Sequence, residues 1–256
     1  MKVRFIGTTA LASTVISALP FLGVAHAQRN QPIYPAYEGY LKNPDGSLTL
    51  SFAYFSHNAE VVTIEPGERN TFAPTPDDRM QPITFEPGHW RFQCVMVVGP
   101  EFDGKLGWTL TYAGTTTSTS ERMLQGNWLL VEGASALSKI DYTSVPKGVC
   151  LNRAPNVRVL GLLPSGDDAP PSLAASVSEK LPLFGSVHDE GLPRSGKLTS
   201  AWTQVSGPGT VTFDNAAEPR TRVTFSAPGT YELVLSASDS ELTAETRVRV
   251  NVTAGQ

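Results

Sequence analysis

Along much of the chain, apolar and polar residues alternate with a period of two. Leu48, Leu50, Phe52 and Tyr54 fall on one side of an extended segment, with Ser47, Thr49 and Ser51 on the other. Leu106, Trp108, Leu110 and Tyr112 repeat the pattern against Gly107, Thr109 and Thr111. Phe92, Cys94, Met96 and Val98 form a third such face, which points Cys94 inward. Because successive residues of a strand point to opposite faces, these runs predict half-buried antiparallel strands. No window keeps a helical apolar period for more than about two turns. Asn43-Pro44-Asp45-Gly46, Glu65-Pro66-Gly67, Glu86-Pro87-Gly88 and Phe102-Asp103-Gly104 punctuate the runs. Proline presets the turn dihedral and glycine supplies positive φ, so these are strand corners. Roughly seven or eight short strands at this spacing predict a β-sandwich. The run Thr115 to Ser120 reads as a polar edge or loop of that sheet protein.

The pattern changes between Arg153 and Leu173, where Ala154-Pro155, Pro164-Ser165-Gly166-Asp167-Asp168 and Pro170-Pro171 break any continuous element. This segment predicts a domain boundary followed by an irregular first strand. The expected organisation is a leader over 1–27, a first β-sandwich over 28–152 and a second over 153–256. In the second half, Leu198–Val205 reads as a third strand with Trp202 as its buried aromatic. Thr230–Ser238 reads as a sixth, with Tyr231 at its start. Those placements match the tryptophan and corner tyrosine of an Ig-like sandwich, which makes Trp202 and Tyr231 structural.

The same half carries a family resemblance. Trp202-Thr203-Gln204-Val205-Ser206-Gly207-Pro208-Gly209, Val211-Thr212-Phe213, Val223 through Leu233 and Ala237-Ser238-Asp239 resemble the PKD-like branch of Ig-like domains. The resemblance covers about 100 residues, Arg153 to Thr253, and implies a β-sandwich of the kind found in exported bacterial and cell-surface proteins. Its first third departs through the proline-rich stretch. The first half resembles, loosely, the uncharacterised segments that precede PKD-like domains in exported bacterial proteins.

The first 27 residues have their own grammar. Lys2 and Arg4 precede an apolar stretch, Phe5 to Val24, and Ala25-His26-Ala27 has the small-x-small form of a signal-peptidase site. An uncleaved anchor is the competing reading, but Pro20 and Gly23 interrupt the stretch, and no second segment approaches the ~20 apolar residues of a membrane span. The expected location is secreted or periplasmic. Cleavage removes two cationic side chains and no acidic ones from a chain of formal charge -4. That balance gives no basic footprint for nucleic acid. With Gly 22 and Pro 20 of 256 residues and 17% charged, the composition favours turns and a packed core over long helices.

An exported chain with two cysteines, Cys94 and Cys150, has one pairing open to it. Closing that loop restricts the unfolded chain by about 4 kcal/mol in the loop-entropy model. A nucleophilic cysteine is the alternative, and no local motif supplies its histidine.

Catalytic constellations are sparse. His57 and Glu60 form a His-x-x-Glu pair, but the Ala59-Glu60-Val61-Val62 context suits a strand better than a zinc-binding helix. His89 follows a turn, and His188 stands apart from both. There is no Gly-x-Ser-x-Gly elbow, phosphate loop or dinucleotide fingerprint. No cofactor is expected apart from calcium. In an Ig-like sandwich, Asp189 and Glu190 in one loop approach Asp239 and Glu241 in another at the same end, offering hard oxygens to that ion. The bland reading is that these carboxylates cap turns on a solvated rim, and Asp167-Asp168 is placed more weakly still. Tyr34, Tyr37, Tyr40, Phe52, Tyr54 and Phe55 crowd the start of the mature chain. Tyr37, Tyr40 and Phe55 are the ones expected at the surface, where such rings could hold a ligand.

The sequence therefore predicts an all-β, exported, non-catalytic protein that binds, adheres or acts as a spacer, with an extracellular or envelope protein or glycan as partner. A carbohydrate-binding accessory module is the first alternative. A hydrolase with its site in the first domain is the second.

Overall fold

The computed structural model describes residues 30–119, 122–130, 136–160 and 172–255. The leader cleavage site and Asp167-Asp168 lie outside the described residues. The described chain is all β apart from two single-turn 3-10 segments, Gly126–Trp128 and Ala136–Lys139.

Eight strands build the first sandwich: β1 (Ile33–Lys42), β2 (Leu48–Ser56), β3 (Val62–Thr63), β4 (Asn70–Ala73), β5 (Thr84–Phe85), β6 (Gly88–Val98), β7 (Gly107–Tyr112) and β8 (Thr115–Ser118). One sheet runs β1-β2-β6 and the facing sheet β4-β7-β8, with β3-β5 as a separate hairpin-like pair. The apolar faces read from the sequence meet between them. Phe52 of β2 lies edge-on to Phe72 of β4 at 5.2 Å and to Trp108 of β7 at 6.4 Å between ring centroids. Edge-to-face geometry places the positive rim of one ring against the negative face of another. The Thr-rich β8 is the outer strand of its sheet, as a polar edge requires.

The alternation misleads at two places. Strand β2 is buried on nearly every residue, Thr49, Ser51 and Ala53 included, and is not half-buried. Its second face is covered by the segment after residue 136, where Leu137 and Val145 pack on Leu41, Val95 and Val97. Backbone bonds tie that segment to β6: Gly148 N–H donates to Val97 O at 2.8 Å and Leu151 N–H to Val95 O at 2.8 Å. Phe92 joins this second cluster and leaves the face of Cys94 and Met96. Its φ of 57° sits where the β2–β6 register slips, so the side-chain phase of β6 reverses there. Cys94 is fully buried and bonded to Cys150.

The second sandwich contains β9 (Asn156–Val159), β10 (Ser172–Ser176), β11 (Leu181–His188), β12 (Thr199–Ser206), β13 (Val211–Phe213), β14 (Arg220–Phe225), β15 (Gly229–Ser238) and β16 (Thr243–Thr253). Its two four-stranded sheets run β10-β16-β15-β12 and β13-β14-β11-β9, and β10 joins β16 in parallel. This is an Ig-like sandwich. Trp202 on β12 stacks toward Phe213, and its indole N–H donates to Pro219 O at 2.9 Å. The Tyr231 hydroxyl donates to Ala227 O at 2.7 Å and ties the corner before β15.

Candidate functional site at the junction of the two sandwiches

The loop after β11, residues 189–198, is not a solvated rim. It is built into the first sandwich. Leu192 is 2% exposed and belongs to the core cluster of Phe52, Phe72 and Trp108. Ile83 N–H donates to Glu190 O at 2.9 Å, and the Thr84 hydroxyl donates to Asp189 O. Arg194 reaches Asp78 Oδ1 at 2.8 Å and Gln81 O at 3.3 Å. Nearby, Asn152 donates to Glu241 Oε2 at 3.1 Å. Gly191 makes the close approach of backbones feasible. Its φ is +86°, and a Cβ there would run into the Ile83 side chain.

His188, the last residue of β11, is 4% exposed and is the polar centre of this junction. Its Nε2 lies 3.2 Å from Gln93 Oε1 and 3.4 Å from the Tyr54 hydroxyl, and its Nδ1 lies 3.4 Å from Glu86 Oε1. The Trp90 ring covers it at 4.0 Å between centroids. A histidine held between the two sandwiches in this way has both ring nitrogens facing polar partners, which is how a buried imidazole is kept. His57 and His89 are exposed, and their ring neighbours are Tyr34 and Phe55. Among the described residues, neither makes a hydrogen bond to a carboxylate or hydroxyl.

The acidic residues are brought near one another but not into one cluster. Asp189 Oδ1 accepts Gly191 N–H at 2.7 Å. Asp239 Oδ1 accepts the N–H groups of Glu241 and Leu242 at 2.7 and 2.6 Å, an Asx-type turn. The second oxygen of each, Oδ2, is buried without a hydrogen-bond partner among the described residues. Burial and the neighbouring Asp239 charge push the Asp189 carboxyl above its ordinary range. Glu190 turns the other way, and its Oε1 accepts Arg153 N–H at 2.8 Å. Desolvation, with the Asp189 charge added, raises its carboxyl to about 8. Glu241 is exposed beside Asn152. Among the described residues, no group of three or more His, Cys, Asp or Glu side chains is arranged to hold a metal ion.

The aromatic expectation needs correcting. Tyr37 and Tyr40 are each 5% exposed and belong to the first core. A β-bulge between Tyr37 and Gly39 shifts the β1 phase by one residue, so two tyrosines three apart face the same way. Gly39 allows it: its φ is +129°, and a Cβ there would stand 2.5 Å from Trp128 O. Trp128 and Phe52 then close over Tyr37 at 5.4 Å each. Burial pushes the Tyr37 phenol above its ordinary range. Phe55 is half-buried and lies across the sheet from Tyr34 and His89. The rings beside it are tilted or edge-on, at 54° to His89 and 73° to His57, so they form no flat stacking platform.

Where the sandwiches meet, a cavity of about 350 Å³ opens beside the buried His188, lined by strand β6 from His89 to Gln93 and by the chain from Arg153 to Arg158. Three guanidinium groups reach it. Arg91 is paired with Glu38 at 2.6 Å. Arg153 donates to Phe92 O, and Arg158 donates to Asn156 Oδ1 at 2.7 Å while lying over the Trp90 ring at 5.4 Å. Sequence reasoning did not single out Trp90, Gln93, Arg153 or Arg158.

No protein-family model matches the chain. Among solved structures it is similar to the N-terminal four Ig domains of Dscam1 isoform 4.44, at 16% identity and a TM-score of 0.28, over 88% of this chain and 54% of that one. It is also similar to Drosophila N-cadherin EC1-3, at 10% identity and a TM-score of 0.28, over 83% and 79%. A third similarity is to the I9-I11 tandem from titin, at 8% identity and a TM-score of 0.24, over 86% and 66%. The chain spans about half the length of the Dscam1 chain it matches.

Proposed function

We propose that the protein is an exported, non-catalytic binding or adhesion module, cleaved after Ala27, whose two sandwiches act as one rigid unit of the envelope or extracellular space. The observation that carries this reading is the loop after β11, whose Leu192 completes the core of the other sandwich. A flexible pair of domains would not bury an aliphatic anchor and the His188 network in the joint, because inter-domain motion would expose both. The disulfide suits an oxidising compartment. The PKD-like character of the second sandwich remains part of this proposal, resting on the Trp202 and Tyr231 motifs. The partner is an extracellular or envelope protein or glycan. Calcium would draw on the Oδ2 atoms of Asp189 and Asp239, and a higher unfolding midpoint in calcium than in chelator checks it.

Unfolding of residues 28–256 tests the rigid unit. A single cooperative transition is expected, splitting into two in Gly191→Ala, where positive φ and the Ile83 contact oppose a side chain. Two separate transitions in the unaltered protein would overturn it.

A further inference from the structure

We infer that the cleft between the sandwiches is a binding site for a small organic oxyanion, a carboxylate or phosphate on a body no larger than a single acidic sugar, held by Arg153 and Arg158. The inference rests on the rigid-unit reading, since strand β6 of one sandwich and the chain leading into the other both line the cavity.

Four observations point to an anion. The cavity, about 350 Å³, lies in the size range of small-molecule sites. Among the described residues neither Arg153 nor Arg158 forms an ion pair, although the Arg153 charge is felt by the Glu190 carboxyl, and each is positioned by a neutral acceptor: Phe92 O for Arg153 and Asn156 Oδ1 for Arg158. A guanidinium oriented through one N–H keeps others for a ligand, and its planar fork matches carboxylate and phosphate oxygens. Glu190 is the one acidic side chain lining the cavity, and its burial, with the Asp189 charge added, pushes its carboxyl up to about 8, which disfavours its anionic form there. The cleft is thus locally cationic in a chain of net charge -4, and a concave wall concentrates that potential. The Trp90 ring touches His188 and has the Arg158 guanidinium over it, so the ring serves as a support for Arg158.

Titration calorimetry of residues 28–256 with glucuronate, glucose 6-phosphate and neutral glucose tests the site. Binding of at least one anion, absent for glucose and weakening with added salt, is expected. The preferred probe assigns the site to carboxylate or phosphate. Arg158 is exposed, so Arg158→Gln keeps the fold and is expected to weaken binding at least tenfold, with Arg158→Lys recovering part of it. No anion binding, or binding unchanged in Arg158→Gln, overturns the inference. If that happens while unfolding keeps a single transition, the rigid unit stands and only the anion site fails. Two transitions would overturn both.

Discussion

The first sandwich encloses a disulfide and a buried polar knot, whereas the second contains no cysteine and holds its two sheets through Trp202, Tyr231 and a regular aliphatic interior. In the first, the Asn70 side chain is fully buried, donating to Ile64 O at 2.9 Å and Pro82 O at 2.8 Å and accepting the Trp108 indole N–H at 2.9 Å. Gln81 extends the knot to Asn70 O. Short strands such as β3 and β5, two residues each, leave much of the first sandwich irregular. Irregular backbone must find hydrogen bonds outside ladders, and buried amides provide them. The second sandwich has long ladders, ten register pairs between β15 and β16, and needs fewer such devices.

The largest test of this contrast is the disulfide. Cys94→Ser and Cys150→Ser are each expected to destabilise the protein by about 4 kcal/mol, with the double variant no worse than either, since both remove one loop constraint. Denaturant titration with a double-mutant cycle checks it, and additive losses would contradict it. Asn70→Ala is expected to cost about 3 kcal/mol, because it orphans the Trp108 N–H and two carbonyls inside the first core. A loss below 1 kcal/mol would mean that water replaces the amide.

The joint should respond to pH. The Glu190 carboxyl keeps its proton in the folded protein up to about 8, while in the unfolded chain it releases it near the ordinary 4.5. Between those values the folded state binds more protons, so stability is greatest below the window and falls as pH rises through it. Asp189, also raised, adds to the same slope. Thermal midpoints from pH 4.5 to 8.5 should decline, and Glu190→Gln should flatten the decline. An unchanged slope in that variant would move the effect elsewhere. The smallest effect is expected in the second sandwich: Tyr231→Phe loses one hydrogen bond to Ala227 O, about 1 kcal/mol. A much larger loss would make the corner, rather than the aliphatic packing, the principal support of that sandwich.

Legibility follows the range of the interactions. The alternation of Leu106, Trp108 and Leu110 is a local signal, and all three are buried on one face. Tyr37 and Tyr40 were unreadable because a single inserted residue reverses side-chain phase without changing composition. His188 is a strand-end histidine by sequence. Its neighbours Tyr54, Glu86 and Gln93 come from strands and turns 95 to 134 residues away.

Sequence by itself determined that this chain builds β-sandwiches, with turns at its Pro-Gly corners and with Trp202 and Tyr231 inside the second, because strand period and turn chemistry act between near neighbours. Only the tertiary structure decided that Asp189 and Glu190 leave solvent, that Leu192 enters the other core, and that Arg153 and Arg158 face one cavity. Those outcomes depend on how the two sandwiches dock, and the desolvation and charge proximity created there are properties of the contact, absent from either strand pattern.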